Sequence, residues 1–147
     1  MSGRLIGIAR KAEVGAEPEI ISQARVSGEA GVEGDFRGRT ENLRKVTVIA
    51  REDWDAACRE LGRELPWTTR RANLLVEGID LPQRIGARFA VGSLVLEVIE
   101  ETAPCSRMER AAAGLRAALK PDWRGGVCCN VVEPGDIAIG APVELVG

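Results

Sequence analysis

Apolar and polar residues alternate along several short stretches of the chain, and this period of two is the pattern of strands with one buried face. The clearest stretch is SLVLEVIEE, in which Leu94, Leu96 and Val98 fall on one side. Glycines between the stretches break the pattern at points where tight turns cost little. The predicted strands are residues 5–9, 19–26, 45–50, 71–76, 87–91, 93–100, 127–132 and 142–146.

A repeat of three to four residues replaces the alternation in two places and predicts two helices. In REDWDAACRELG, residues 51–62, the side chains of Trp54, Cys58 and Leu61 recur on one face, so we expect Cys58 to lie in the core. Residues 107–119 carry a second apolar stripe, which ends at a Lys-Pro pair that stops a helix. Its members are Met108, Ala111, Ala112, Leu115 and Leu119.

Seven or eight short strands with two or three helices between them predict one mainly β domain. Too few helices alternate with strands for a parallel βαβ array, so a β-barrel or a folded sheet is the better prediction. A chain of 147 residues fits a single domain, and residues 1–147 show no internal repeat or linker.

Charge and hydropathy narrow the function classes. The net charge is −2, so we expect no general attraction to nucleic acid. No apolar run is long enough for a membrane span, and no apolar signal core stands near the start. We therefore expect a cytoplasmic protein that does not bind membranes, and the sequence indicates no oligomeric state.

The absence of histidine excludes more chemistry than any motif does. It removes histidine-based acid-base catalysis, the Ser-His and Cys-His catalytic pairs and the histidine-containing zinc sites. The four cysteines, at positions 58, 105, 128 and 129, lack CxxC spacing and the density of a disulfide scaffold. We expect reduced thiols, and neither zinc nor haem.

Residues 28–44 contain many glycines and charges without a sustained period, which predicts a long ordered loop. Within its GVEGDFRGR segment, glycines such as Gly34 let backbone amides approach a ligand, while Arg37 and Arg39 supply positive charge. No GKS or GKT follows, so the segment is not a P-loop. An irregular surface loop without a ligand is the alternative.

The sharpest local signal is APCSRME at positions 103–109, where a strand ends, a proline turns the chain and a helix begins. Ser106 and Glu109 have the spacing of a capping box, which places Cys105 just outside the helix. A thiol near the positive end of a helix dipole and beside Arg107 should have a lowered pKa. Its thiolate would be a nucleophile and a soft-metal ligand. The alternative is a small buried apolar residue that packs against the helix.

A second polar segment, TTRRAN, leads into a predicted strand. Alternation would put Arg71 and Asn73 on one face, where the arginine fork suits phosphate or oxo groups and the asparagine amide both donates and accepts. A solvated strand edge is the alternative. Farther along, Cys128 and Cys129 occupy opposite faces of a strand, so we expect one in the core and the other near a pocket, without an assigned role.

Taken in order, these segments resemble the MOSC family, the molybdenum-cofactor sulfurase C-terminal domain. The resemblance spans nearly the whole chain and depends on the order and spacing of GVEGDFRGR, KVTVIARED, RRANLLVEGIDL, GSLVLEV, APCSRME and RGGVCCNVVEPGDIAIGAPVEL. It implies a single MOSC domain with a β-barrel-like fold that binds the molybdenum cofactor (molybdopterin).

The resemblance also implies roles for individual residues. The key cysteine of the family falls on Cys105, which would ligate molybdenum or carry sulfur. The R-x-N element falls on Arg71 and Asn73, so Arg71 would hold the phosphate or pterin side of the cofactor and Asn73 would lie near the metal. The GxxGD segment ends on Gly34 and Asp35, which we include among the cofactor-binding residues.

Three functions follow from this interpretation. In the first, Cys105 binds molybdenum, Arg71 and the Arg37–Arg39 loop hold the anionic tail, and oxygen or sulfur transfers at the metal. Reduction of N-hydroxylated compounds with a redox partner protein is the family-level analogy, and water or a carboxylate such as Asp35 would supply protons. In the second, Cys105 carries persulfide sulfur. A separate cysteine desulfurase would have to supply this sulfur, because we identify no pyridoxal-phosphate desulfurase domain in the sequence. In the third, the basic loop and Arg71 bind a phosphorylated ligand without turnover.

Overall fold

The computed structural model describes residues 2–146, which fold around a closed barrel of strands. The strands are β1 (Ser2–Arg10), β2 (Glu19–Ile21), β3 (Gln23–Ser27), β4 (Gly31–Val32), β5 (Val46–Ala50), β6 (Leu74–Glu77), β7 (Arg88–Val91), β8 (Leu94–Glu101), β9 (Val127–Glu133), β10 (Gly135–Ala138) and β11 (Pro142–Val146). The helices are α1 (Arg51–Leu61), α2 (Ser106–Ala111) and α3 (Leu115–Ala118), with 3-10 turns at Phe36–Arg39, Trp67–Arg70 and Pro121–Trp123. Nowhere in residues 2–146 does a helix have the length and apolar character needed to cross a membrane.

Seven of the strands form the barrel wall. Their order is β11, β7, β8, β9, β5, β6 and β1, and the wall closes where β1 pairs with β11, with Gly3 opposite Val143. Neighbouring strands are antiparallel except β5 and β6, which are parallel and joined by a crossover that contains α1. Closure leaves no open edge in the wall. The mainly β, barrel-like fold predicted from the sequence is confirmed.

The apolar residues form two clusters, one inside the barrel and one between the barrel wall and the helices. Phe89 and Leu96 are fully buried inside the barrel. Ile49 on β5 belongs instead to the second cluster, with Trp54 of α1 and Leu115 of α3. Because β5 lies between the two clusters, all five of its residues are buried and the strand shows no polar face.

The first predicted helix is confirmed as α1. It ends at Gly62, whose φ of 72° is a left-handed conformation that glycine adopts without a steric penalty. Cys58 packs against the second cluster but is only half-buried, so its predicted place in the core is correct only in part.

The second predicted helix, residues 107–119, is wrong as a single element. It consists of two short helices, α2 and α3, which part at the extended residue Ala112 and at Gly114, with a φ of 90°. The capping box is also absent, because Ser106 already lies within α2 and the Glu109 carboxylate accepts a hydrogen bond from the Gly114 amide at 2.9 Å. Apolar periodicity continues across this break and therefore does not detect it.

A small second sheet accounts for three other corrections. Residues 19–26 are two strands that part at Ser22, so that β2 pairs with β1 while β3 joins β10 and β4. The residues between the predicted strands 127–132 and 142–146 contain β10, which was not predicted, and the predicted loop 28–44 contains β4 and a 3-10 turn. Strands this short are stabilised by distant partners, which local patterns do not reveal.

The strand predicted at residues 71–76 begins only at Leu74. Arg71 instead ends the preceding 3-10 turn with a left-handed φ of 70°, and its amide donates to the Thr68 carbonyl. The alternation that was expected to align Arg71 with Asn73 on one strand face is therefore wrong. The two residues have different surroundings, since Asn73 is fully buried and Arg71 is half-buried.

Candidate functional site

Cys105 lies at the junction between the end of β8 and the start of α2. It immediately precedes the first residue of α2, with a φ of −121° and a ψ of −178°. The residue is exposed to solvent, so the alternative of a buried apolar cysteine is wrong. An exposed thiol at this position is accessible to a ligand or to a reagent.

The surroundings of Cys105 favour its thiolate form. Partial burial raises the pKa of the thiol, but the backbone amides of Arg107 and Met108 and the charges of Arg70 and Arg107 lower it more, so the pKa lies below its ordinary value. The Cys105 side chain makes no capping hydrogen bond to α2, so the amides act on the sulfur as nearby dipoles. The thiolate is a nucleophile and a soft-metal ligand.

Arg70 is a residue of this site that sequence analysis missed. Only 6% of it is exposed, and its guanidinium donates from Nε to the Gly125 carbonyl at 2.9 Å and from Nη2 to the Thr102 carbonyl at 2.6 Å. Within residues 2–146 it forms no salt bridge with a carboxylate. Burial lowers the pKa of Arg70, and the thiol groups of Cys105 and Cys128 raise it. A buried positive charge therefore lies close to Cys105.

A hydrogen-bond network around Asp35 ties three segments of the chain together. The buried Asp35 carboxylate accepts from the Lys11 amide at 2.8 Å, from the Arg37 amide at 3.2 Å and from Arg37 Nη1 at 3.0 Å. Arg37 also donates from Nη2 to the Arg71 carbonyl at 2.6 Å and stacks on the Phe36 ring. Asp35 and Arg37 thus hold the backbone of Arg71 in place.

Arg71 and Lys11 line one narrow crevice together with Arg37 and Asp35. Burial and the charges of Arg107 and Arg37 lower the pKa of Arg71, while Cys105 raises it. Arg71 therefore lies in the same electrostatic environment as the cysteine. Lys11 was missed in the sequence because nothing near it in the chain signals a ligand; it reaches Arg71 only through the fold.

Asn73 is a structural residue of this region. Its side-chain oxygen accepts from the Thr47 amide at 3.0 Å and from the Thr47 hydroxyl at 3.2 Å, and its side-chain nitrogen donates to the Ala9 carbonyl at 3.2 Å. A fully buried amide that is already hydrogen-bonded in this way fixes the start of β6 against β5 and β1. It has no exposed atom with which to contact a metal.

The two remaining predicted residues, Arg39 and Gly34, are not among the residues that line the crevice. Arg39 is exposed and donates to the Ala12 carbonyl, which attaches the 3-10 turn to the chain after β1. Gly34 has a φ of 91°, and a Cβ atom there would lie 3.0 Å from Nη1 of Arg10. The absence of a side chain at Gly34 therefore leaves space for an arginine of the protein itself.

The two adjacent cysteines of β9 differ as predicted. Cys129 is fully buried in the barrel core, where burial raises the pKa of its thiol. The Cys128 sulfur accepts a hydrogen bond from the Thr102 hydroxyl at 3.3 Å. Cys128 also lines a cavity of about 210 Å³ with Arg37 and Phe36 among its other walls.

The described residues provide few metal ligands. Among residues 2–146, no three side chains of histidine, cysteine, aspartate or glutamate gather as they would around a metal ion. A metal at Cys105 would therefore take fewer than three of these side chains as ligands, and a cofactor would have to supply the others.

A family model described as the MOSC domain matches residues 35–144, which is more than half of the chain and includes Asp35, Arg71 and Cys105. The chain belongs to the MOSC family. No curated protein sequence matches it.

Solved structures place this MOSC domain among proteins of the same fold. The YuaD protein from Bacillus subtilis superimposes with a TM-score of 0.83 at 16% identity, over 99% of this chain and 96% of YuaD. YiiM from Escherichia coli gives a TM-score of 0.74 at 19% identity, over 100% of this chain and 70% of YiiM. YiiM from Geobacillus stearothermophilus gives 0.69 at 18% identity, over 99% and 73% of the two chains. At these identities the likeness shows the fold alone.

Proposed function

We propose that this MOSC domain binds the molybdenum cofactor and that the Cys105 thiolate is its protein ligand to molybdenum. The observation that carries the proposal is an exposed cysteine whose pKa is lowered by backbone amides and by arginines. Soft thiolates suit a metal held partly by sulfur, and nearby cations suit an anionic cofactor. The donor set therefore fits the group.

When bound, the cofactor would supply a metal centre that transfers oxygen or sulfur. The chain's own residues would orient it: Cys105 binds the metal side, and Arg71 holds the anionic side. Asp35 and Arg37 support Arg71 through its carbonyl, and Asn73 positions the following strand. Because the Asp35 carboxylate already accepts several hydrogen bonds in a buried site, we assign proton delivery to water rather than to Asp35.

The test of the ligand assignment is metal retention. Wild-type protein and Cys105→Ala are loaded with cofactor without air, desalted, and analysed for molybdenum per chain. We expect the wild type to retain molybdenum and Cys105→Ala to lose most of it. Cys58→Ala is the matched control, because this cysteine lies in α1 on the second apolar cluster. Equal metal in wild type and Cys105→Ala would reject the ligand role.

The exposure of Cys105 also supports a second function, a persulfide carrier that accepts sulfur from a cysteine desulfurase. This function needs the nucleophilic thiolate but no metal. After incubation with a desulfurase and cysteine, mass spectrometry should find one added sulfur atom on Cys105. An unmodified Cys105 under conditions that load a known carrier would exclude this function. The two functions would also need different partners: a cysteine desulfurase for the persulfide carrier, and an electron-donor protein for the molybdenum-binding function.

A further inference from the structure

Arg70 carries a buried positive charge that no carboxylate within residues 2–146 neutralises through a salt bridge. The two groups that hold its guanidinium, the carbonyls of Gly125 and Thr102, have no net charge. Burial of a charge is costly unless an opposite charge accompanies it. The pairing of charges at Arg70 is therefore incomplete among the described residues.

One nitrogen of this guanidinium is free to donate. Nε and Nη2 donate to the two carbonyls, whereas Nη1 forms no hydrogen bond with any group of residues 2–146, the Cys105 sulfur included. No buried side-chain nitrogen or oxygen in that range lacks a partner, so Nη1 must keep contact with solvent. The side of the guanidinium that faces away from the carbonyls thus presents N–H groups that a ligand can reach.

The backbone leaves room for the guanidinium at Gly125. A Cβ atom there would lie 2.4 Å from the Thr102 carbonyl oxygen and 3.1 Å from Nη2 of Arg70. The two carbonyls come from segments that are 55 and 32 positions away from Arg70 in the chain, and together they fix the plane of its guanidinium. A donor that is already oriented loses little conformational entropy when it binds an acceptor.

The guanidinium of Arg70 lies close to Cys105. Its partner Thr102 stands three residues before the cysteine, at the end of the segment that leads from β8 to α2. Burial lowers the pKa of Arg70, and among the charged groups around it Cys105 has the largest effect, in the opposite direction. Of the two arginine charges that lower the pKa of Cys105, that of Arg70 has a larger effect than that of Arg107.

We infer that Arg70 is a substrate-binding residue of the Cys105 site and that its Nη1 donates to an anionic oxygen of the reactant. The favoured class of reactant is small and carries a carboxylate or another oxyanion next to the atom that reacts. Such a group supplies the negative charge that the two carbonyls do not, and it accepts a charge-assisted hydrogen bond. The inference rests on the proposed function, in that the reactant meets the cofactor at Cys105. It concerns a different residue from Arg71 and a place outside the crevice, which Arg70 does not line.

Two small alkylating reagents test the inference without cofactor or metal. Iodoacetate carries a carboxylate, and iodoacetamide is its neutral counterpart of similar size. Both react with the thiolate, so the ratio of their rates at Cys105 does not depend on the fraction of the thiol that is ionised. Peptide mass spectrometry gives the two rates. We expect the native protein to favour iodoacetate about tenfold more than the urea-unfolded protein does, as one charge-assisted hydrogen bond predicts.

The variant Arg70→Gln should lose most of this preference. Arg124→Gln is the matched control, because the guanidinium of Arg124 also donates to a backbone carbonyl, that of Ala118, but pairs with Glu60 of α1. It should keep the wild-type ratio. A salt series on the wild type gives a test that does not depend on the folding of a variant. Because Arg70 is buried, the preference should persist from about 0.05 M to about 0.5 M sodium chloride, where the effect of the exposed Arg107 is screened.

A ratio in Arg70→Gln within about twofold of the wild-type ratio would overturn the inference. So would a wild-type preference that disappears at high salt, since it would come from exposed arginines. Failure of the molybdenum assignment is a separate result. Equal molybdenum in the wild type and Cys105→Ala would reject the ligand role and leave the measured preference of the metal-free protein unchanged.

Discussion

Removal of the buried charge of Asp35 tests whether the network beside the cysteine is supported as described. Asp35→Asn keeps the shape of the side chain but turns one acceptor oxygen into a donor that faces N–H groups of Lys11 or Arg37. Hydrogen bonds to a charged group contribute about 1.5–3 kcal/mol each, and removing one partner of a buried ion pair costs about 3–5 kcal/mol. Because the Arg37 side chain is 15% exposed and keeps its bond to the Arg71 carbonyl, we expect a loss of about 2–4 kcal/mol.

The assay is urea unfolding, with the midpoint compared at constant m-value. For a domain of this size the melting temperature should fall by roughly 5–12 °C. Asp136→Asn is the control: its side chain is 83% exposed and its contact with Arg25 spans 3.7 Å, so it should change stability by less than about 0.5 kcal/mol. A loss below about 1 kcal/mol in Asp35→Asn would refute the reasoning, and a double-mutant cycle with Arg37→Gln would locate the error.

Three other predictions test single features. The lowered pKa of Cys105 predicts that iodoacetamide alkylates it in the native protein with a lower pH midpoint than in the urea-unfolded protein, measured by peptide mass spectrometry; equal midpoints in the two states contradict the electrostatics. Burial raises the pKa of Asp53 from 3.8 to about 6, so the folded state binds the proton more tightly and stability falls as pH rises between these values. Asp53→Asn should therefore raise the free energy of unfolding by about 1 kcal/mol near pH 7, a figure that is discounted for partial exposure. Near pH 4, urea titrations should find this stabilisation lost. A Cβ atom at Gly38 would overlap the Ala30 carbonyl oxygen, so Gly38→Ala should lower the free energy of unfolding by about 2–4 kcal/mol in urea titrations. Gly28→Ala is the control: its Cβ atom would make only an ordinary contact, so the loss of stability should be less than about 1 kcal/mol.

The sequence predicts the barrel strands well because their patterns are local. SLVLEVIEE and KVTVIA are long enough to show their burial, and β8 and β5 lie within a residue of their predicted bounds. The helix that was predicted through position 114 fails for the opposite reason. Its apolar stripe is genuine, since Met108 and Leu115 both pack in the second cluster, but Gly114 breaks the backbone between them. Periodicity reports burial and does not report continuity of the helix.

The candidate site is only partly predictable because it is assembled from distant segments. Cys105 stands out locally, and its exposure and lowered pKa agree with the prediction even though the capping box does not form. Lys11 and Arg71 are sixty positions apart and meet only when the Asp35 network joins their segments. Asn73 is the opposite case. The R-x-N element suggests that its side chain is available to a ligand, but the fold buries it and hydrogen-bonds it to Thr47 and Ala9.

Two of the arginines whose charges act on Cys105, Arg107 and Arg70, respond differently to solvent. Arg107 is exposed, so salt at physiological strength screens its effect on the sulfur. Arg70 is buried, and carbonyl oxygens fix its guanidinium at Gly125 and Thr102, so its field acts through protein rather than through water. A carboxylate beside Arg70 would have cancelled that field, whereas carbonyl dipoles stabilise the cation and leave its net charge in place. The fold thus keeps a salt-resistant positive charge that favours the thiolate form of the one exposed thiol among residues 2–146.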